Sequence, residues 1–259
     1  MRKILFFAGI FLFVAGMLSP AAGTLDFDHS HVLFDKVLKR FVHDGLVDYA
    51  ALKKDSADLD QYLAGLEAVT EPDFKQWSRE QQIAYLVNLY NARTLRLIAD
   101  HYPVKSIKQI GNLLQGPWDQ PVVRLFGNTG TLNMIEHKML RKNYDEPRVH
   151  FALVCAARGC PPLRNEAYTA SRLSVQLDDQ GRIFLSTPHK NSVDMQNGVL
   201  NLSPIFKWFR EDFVKKSGSE FQFIKLYLPA AEAGAMTGNS YKIRYTFYDW
   251  SLNDIKSGG

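Results

Sequence analysis

Arg148-Val149-His150-Phe151-Ala152-Leu153-Val154-Cys155-Ala156-Ala157-Arg158-Gly159-Cys160-Pro161-Pro162-Leu163 holds both cysteines of the chain and one of its seven histidines. The apolar run Phe151 to Ala157 carries the chain through an interior. It breaks at Arg158-Gly159 and presents Cys160 before two prolines. A buried run ending in an abrupt turn holds a side chain at the rim of a core. His150 and Cys155 stand five positions apart. That spacing puts them on opposite faces of a strand, or about 140° apart on a helix. His150 is therefore not expected to activate Cys155 from within one regular element. Cys155, among Phe151, Leu153, Val154 and Ala156, reads as a small inert hydrophobe. Cys160 is placed to be an N-cap with Pro161 at the first helical position, so that helix amides lower its pKa. Cys160 is the expected reactive thiol.

A thiol nucleophile needs a base and donors for a developing oxyanion. His150, His137 and His189 are the candidate bases, His189 in an exposed-looking loop. Glu136, Glu80, Asn88 or Asn91 could orient the imidazole, and backbone amides after Gly159 could serve the oxyanion. The competing reading of each is plain. Glu136 completes a capping box begun by Asn133, and His137 is one histidine on a helix. Asn88, Asn91 and Arg148 tie the core together, and Cys155 and Cys160 pair as a structural disulfide.

Working towards the N-terminus, Asn133 starts a helix bearing Ile135, His137, Leu140 and Arg141. Before it, Val122 to Phe126, a Gly127-Asn128-Thr129-Gly130 turn and Thr131-Leu132 read as a hairpin. Ser78 with Gln81 is a capping box opening a long helix whose buried stripe is Ile83, Leu86, Val87, Tyr90, Leu97 and Ile98; Pro103 ends it. Helical spacing recurs over Asp28 to Val42, stopped at His43-Asp44-Gly45, and over Leu52 to Leu66, with a short extended piece at Leu46 to Tyr49.

Towards the C-terminus, Tyr168 to Asp179 reads as a helix stopped by Gly181, and Arg182 to Ser186 and Val199 to Leu202 as strands. Ser203-Pro204 caps a further helix. Tyr241 to Tyr248 alternates as a half-buried strand, and Ala230 to Gly238 reads as loop. The expected fold is α+β: a single mostly helical domain, 24–259, packed on a small antiparallel sheet, with a papain-like arrangement as one form it could take.

Residues 1–23 read as a signal peptide: Arg2-Lys3, an apolar stretch from Ile4 to Leu18, then small residues to Gly23. A retained anchor is the rival, although the stretch is short for a span. The expected location is exported, periplasmic or secreted. Two of the 31 Lys and Arg and none of the 27 acids lie in this leader, which leaves a net charge of +2. That is too weak to point to nucleic acid or an anionic membrane surface. No later run is apolar enough to span a bilayer. No zinc spacing, phosphate loop, dinucleotide fingerprint, G-x-S-x-G or C-x-x-C occurs, so neither metal nor cofactor is expected.

The chain resembles the bacterial and plant family known as domain of unknown function 547. The resemblance rests on Asn88-Leu89-Tyr90-Asn91-Ala92, on Ile135 to Arg141, on Pro147 to Cys155 running on to Gly159-Cys160-Pro161-Pro162-Leu163, and on Leu202 to Trp208 with Asp212-Phe213. It implies a shared fold over roughly 75–215 and a role for the His150 to Cys160 stretch, without supplying an activity. Val154 departs from it, since relatives are expected to carry a polar residue such as Asn there; that weakens an oxyanion role at this position.

Three functions follow as expectations. The first is a cofactor-independent cysteine hydrolase or acyl transferase acting on a small-molecule or peptide substrate. The second is a non-catalytic binding or scaffold domain with a Cys155–Cys160 disulfide. The third is a thiol redox protein.

Overall fold

A computed structural model describes residues 27–112, 114–236 and 241–256. The expected leader, 1–23, lies outside the described residues. The fold is α+β and mostly helical. Its axis is α5, Arg79–His101, where Ser78 accepts from Gln81 N and the Gln81 side chain returns to Ser78 N, the capping box expected. Burial runs from Ile83 to Ala99 on nearly every face of this helix, so other elements surround it. On one side lie α1 (Val32–Phe41), α2 (Tyr49–Lys54), α3 (Ala57–Glu67) and α4 (Glu71–Gln76). The helical run expected over Leu52 to Leu66 is broken at Asp55-Ser56. A two-residue hairpin, β1 (Val42–His43) with β2 (Leu46–Val47), follows α1.

The second hairpin pairs β3 (Val123–Leu125) with β4 (Asn128–Gly130), turning at Phe126-Gly127, earlier than the Gly127 to Gly130 turn expected. A π-helical segment, Met134–Leu140, then runs into α6, Arg141–Asn143. Its start is not capped by Asn133: Thr131 Oγ1 accepts from Met134 N, and Asn133 Nδ2 donates to Asp119 instead. Glu136 is thus free of capping work.

The stretch quoted first forms α7, Val149–Ala152, and then extended chain. Ala156 turns it with a φ of 60°, a left-handed value that a residue with Cβ rarely adopts. No helix follows Cys160. Residues 161–169 are irregular, so the expected N-cap is corrected.

Next comes α8, Leu173–Leu185. It starts later than expected and runs through Gly181, so Arg182 to Leu185 is helix rather than strand. Gly181 is there for close packing. A Cβ on it would meet the Tyr227 ring at 2.8 Å and the Phe151 ring at 3.1 Å. Beyond α8, β6 (Val199–Leu202) pairs antiparallel with β5 (Ser192–Asp194) and parallel with β7 (Lys242–Tyr245). Between β6 and β7 lie α9 (Pro204–Trp208), α10 (Arg210–Ser217), α11 (Glu220–Lys225) and α12 (Ala230–Ala235), the last in a segment expected as loop. After β7 the chain runs back along the Cys155 stretch. Ala157 bridges Leu252, and Gly159 N and Arg158 N donate to Asp249 O and Ser251 O, both at 2.8 Å. One contiguous cluster of buried apolar residues runs from Phe34 to Leu252. No described helix is long and apolar enough to cross a membrane.

Candidate functional site

Glu136, His137, His150, Cys155 and Cys160 line one cavity of ≈ 200 Å³. Its walls are Trp118, Trp208, Phe209, Tyr248 and Trp250, so three of the four tryptophans of the chain surround it. The π-helical segment supplies Glu136 and His137, α7 supplies His150, and the bend after it supplies Cys155. The junction between α9 and α10 supplies Phe209, and the C-terminal strap supplies Tyr248 and Trp250.

His150 is 3% exposed. Its ring stacks on Phe209 with centroids 3.8 Å apart and meets Phe213 edge-on. Nε2 lies 2.7 Å from Asp212 Oδ2. Nδ1 is buried without a hydrogen-bond partner, 3.9 Å from Glu136 Oε1. The network therefore assigns the Nε2–H tautomer, with a lone pair on Nδ1. Burial lowers the imidazole's pKa against the pull of Asp212, so the ring is held neutral. Arg141 grips the same carboxylate through Nε at 2.6 Å and Nη2 at 3.0 Å, and its guanidinium lies 5.1 Å from the Phe209 ring. Burial disfavours the Asp212 carboxylate, but hydrogen bonds from His150 and Arg141 outweigh it and hold its pKa well below the usual range.

Glu136 has the opposite balance. Burial pushes its carboxyl up to about 7, against the charge of Arg141 and the Tyr90 hydroxyl. A carboxyl poised near neutrality in an apolar recess can give or take a proton under ordinary conditions. His137 is exposed, beside Arg141 Nη1 at 3.1 Å. Burial and Arg141 both lower its pKa.

The sulfurs of Cys155 and Cys160 lie at bonding distance, with Cα atoms 6.4 Å apart. The Tyr248 hydroxyl is 3.1 Å from Cys160 Sγ and 3.3 Å from Cys155 Sγ. Burial drives that phenol well above its ordinary pKa, so it remains protonated and able to donate. Cys155 N also points at Cys160 Sγ, at 3.1 Å. Cys160 is 2% exposed and Cys155 only half-buried, so Cys155 is the sulfur with access. The amides expected to serve an oxyanion are already used: Gly159 N donates to Asp249 O, Cys160 N to Ala157 O, and two prolines follow.

Asn88, Asn91 and Arg148 do not line this cavity. Asn88 clamps the backbone of Tyr168 through both amide groups, at 2.8 and 3.0 Å. Asn91 does the same across Ala152 O and Val154 N, at 2.9 and 3.0 Å, and so fixes the approach to Cys155. Arg148 binds Glu146 twice at 2.6 Å and Asp178 at 2.9 Å, tying α7 to α8. These three hold the frame, as the structural reading of them expected. His189 lines a different cavity.

Sequence reading missed Asp212 as the partner of His150, and Tyr248, Trp118, Trp208 and Trp250 as the walls. Asp212 was within the quoted resemblance but carried no sign of its partner. Trp118 and Trp250 sit in segments where no helical or strand periodicity marks them.

The fold and side chains define an α+β protein with a Cys–His–carboxylate site sunk in an aromatic-walled cavity. Residues 74–185 match the model of the family described as "Protein of unknown function, DUF547". The match takes in α5, Glu136, His150 and both cysteines, and ends before Phe209, Asp212, Tyr248 and Trp250. No curated protein and no solved structure matches the chain.

Proposed function

We propose that the protein is a cofactor-independent cysteine hydrolase or acyl transferase, with reduced Cys155 as nucleophile. The observation that carries this is the shared cavity: an accessible cysteine, a neutral histidine with an unpartnered Nδ1, and the carboxylate that orients it. In this reading Nδ1 takes the Cys155 proton while Asp212 stabilises the resulting imidazolium through Nε2–H. The sulfur forms a bond to an acyl carbon, and the carbonyl π electrons move to oxygen. The Tyr248 hydroxyl, 3.3 Å from Cys155 Sγ, is the donor proposed for that oxyanion. Collapse of the intermediate breaks the bond to the leaving group, which receives the proton from His150. Water or an amine then releases the acyl group from sulfur by the same steps in reverse order. Cys160 changes role relative to the sequence expectation: it is the neighbour that can close on the nucleophile.

The test is mass spectrometry of the reduced protein after brief exposure to p-nitrophenyl acetate. One acetyl group on Cys155, turning over with time and absent in Cys155→Ser, supports the reading. Acylation unaffected by that substitution sinks it.

The placing of both cysteines on the cavity, with Cys155 only half-buried, favours a second reading, a thiol redox centre. It predicts a Cys155–Cys160 bond that a mild dithiol reduces and a disulfide oxidant restores, with no acyl intermediate. A bond resistant to mild reductant contradicts this reading and leaves a structural disulfide.

A further inference from the structure

A second cavity, of ≈ 820 Å³, lies on the other side of Cys160 and Tyr248, which line both. Its wall carries Lys190 and Arg158. Lys190 Nζ donates to Cys160 O at 2.6 Å. Arg158 Nη2 donates to Asp254 O at 3.1 Å, and Arg158 Nε is buried with no hydrogen-bond partner. The partners of both cations among the described residues are main-chain carbonyls. Arg164, on the same wall, differs: Glu166 and Asp179 neutralise it. The acid facing the two cations, Asp249, is engaged by Ser251 N at 2.8 Å and Ser251 Oγ at 2.6 Å. Burial and the charge of Arg158 push Lys190 down to about 8, against Asp249. Two cations in one concave wall share the field of one carboxylate, Asp249, that is hydrogen-bonded elsewhere, so neither has an anionic hydrogen-bond partner of its own among the described residues.

We propose that this cavity is a second binding site, for an organic ligand that presents a carboxylate to Lys190 and Arg158. A guanidinium fork suits a planar carboxylate, and an adjacent ammonium adds a point charge. The nearby Asp249 and the carbonyl oxygens of Cys160 and Asp254 disfavour a group of higher charge. The volume is that of an organic molecule rather than a bare ion. The site stands apart from the thiol chemistry and does not depend on it. An anion that draws Lys190 Nζ from Cys160 O loosens one hold on the Cys160 turn.

Isothermal titration calorimetry with succinate, and separately with inorganic phosphate, at constant ionic strength in chloride tests this. Succinate binds the wild-type chain, and Lys190→Gln or Arg158→Gln weakens it by about tenfold or more. Arg172→Gln, an exposed cation elsewhere that pairs with Glu166, leaves it unchanged. No succinate binding, equal affinity in Lys190→Gln, or binding of phosphate alone overturns the proposal. If Lys190→Gln does not fold, the wild type still decides. Succinate then protects Lys190 from acetic anhydride, as read by peptide mapping, and an unchanged acetylation rate overturns the assignment.

Discussion

His150 and Asp212, 62 residues apart in sequence, are joined by a 2.7 Å hydrogen bond from Nε2 to Oδ2. That bond fixes the ring's tautomer and leaves the lone pair on Nδ1, which is the base in the proposed reaction. Asp212→Asn removes the charge that stabilises an imidazolium and lets the ring adopt the other tautomer. The expected cost is about 10²–10⁴ in the rate of thioester formation, with the fold retained, as read by stopped-flow acylation. The same carboxyl links stability to acid. Its folded pKa is depressed, so its contribution is complete above the ordinary carboxylate value and is lost as pH falls through the folded one. Chemical denaturation between pH 5 and 2, as rough bounds, is expected to show a shallower acid loss for Asp212→Asn than for wild type.

Glu136 carries the opposite sign. Its carboxyl is raised from 4.5 to about 7, so the folded state holds a proton that the unfolded chain has released. Stability from this group falls as pH rises between those values and is flat above them. Glu136→Gln is expected to be near neutral at pH 4 and to stabilise on the order of 2–3 kcal/mol at pH 8. A variant equally stabilised or destabilised at both pH values contradicts the assignment.

Asn91 holds Ala152 O and Val154 N, one residue short of Cys155. Asn91→Ala leaves both main-chain groups buried and unpaired. The expected cost is ~2–4 kcal/mol in denaturant unfolding. Slower alkylation of Cys155 should accompany it, because the segment that aims the sulfur is released.

The parts of this account that were legible in the sequence are those with local chemistry. The Ser78–Gln81 capping box, the Ser203-Pro204 helix start and the β6 run each depend on neighbours in the chain. Gly181 was misread because a helix-stop glycine and a packing glycine look alike in sequence; the Phe151 and Tyr227 rings that need its bare Cα come from elsewhere. Cys160 was misread for a similar reason. Proline after a capping-type position suggests a helix, but here the strap around Asp249 and Ser251 takes the local amides. His150 and Cys155 were set apart by the geometry of any one regular element. They share a cavity because α7 ends at Ala152 and the chain changes conformation between them. That His150, Cys155 and Cys160 lie on one stretch was readable; their shared cavity with the tryptophans, and the bond to Asp212, required the tertiary fold.

Tyr248 touches both sulfurs, and Gly159 lets it do so. A Cβ on Gly159 would lie 2.9 Å from three atoms of the Tyr248 ring, whose near face is rigid. Gly159→Ala is expected to cost ~1–3 kcal/mol and to displace the ring. Tyr248→Phe keeps the packing and removes the hydroxyl, so it separates the two effects. Stability should change little, while acylation of Cys155 slows. If Tyr248→Phe acylates at the wild-type rate, the hydroxyl has no part in the chemistry.

The most direct measurement is the alkylation rate of the reduced chain against pH, mapped to each cysteine, in wild type and in His150→Ala. The account predicts that Cys155 reacts before Cys160 and that its rate rises through a midpoint that moves to higher pH in His150→Ala. A Cys155 that stays silent, or a midpoint indifferent to His150, contradicts it.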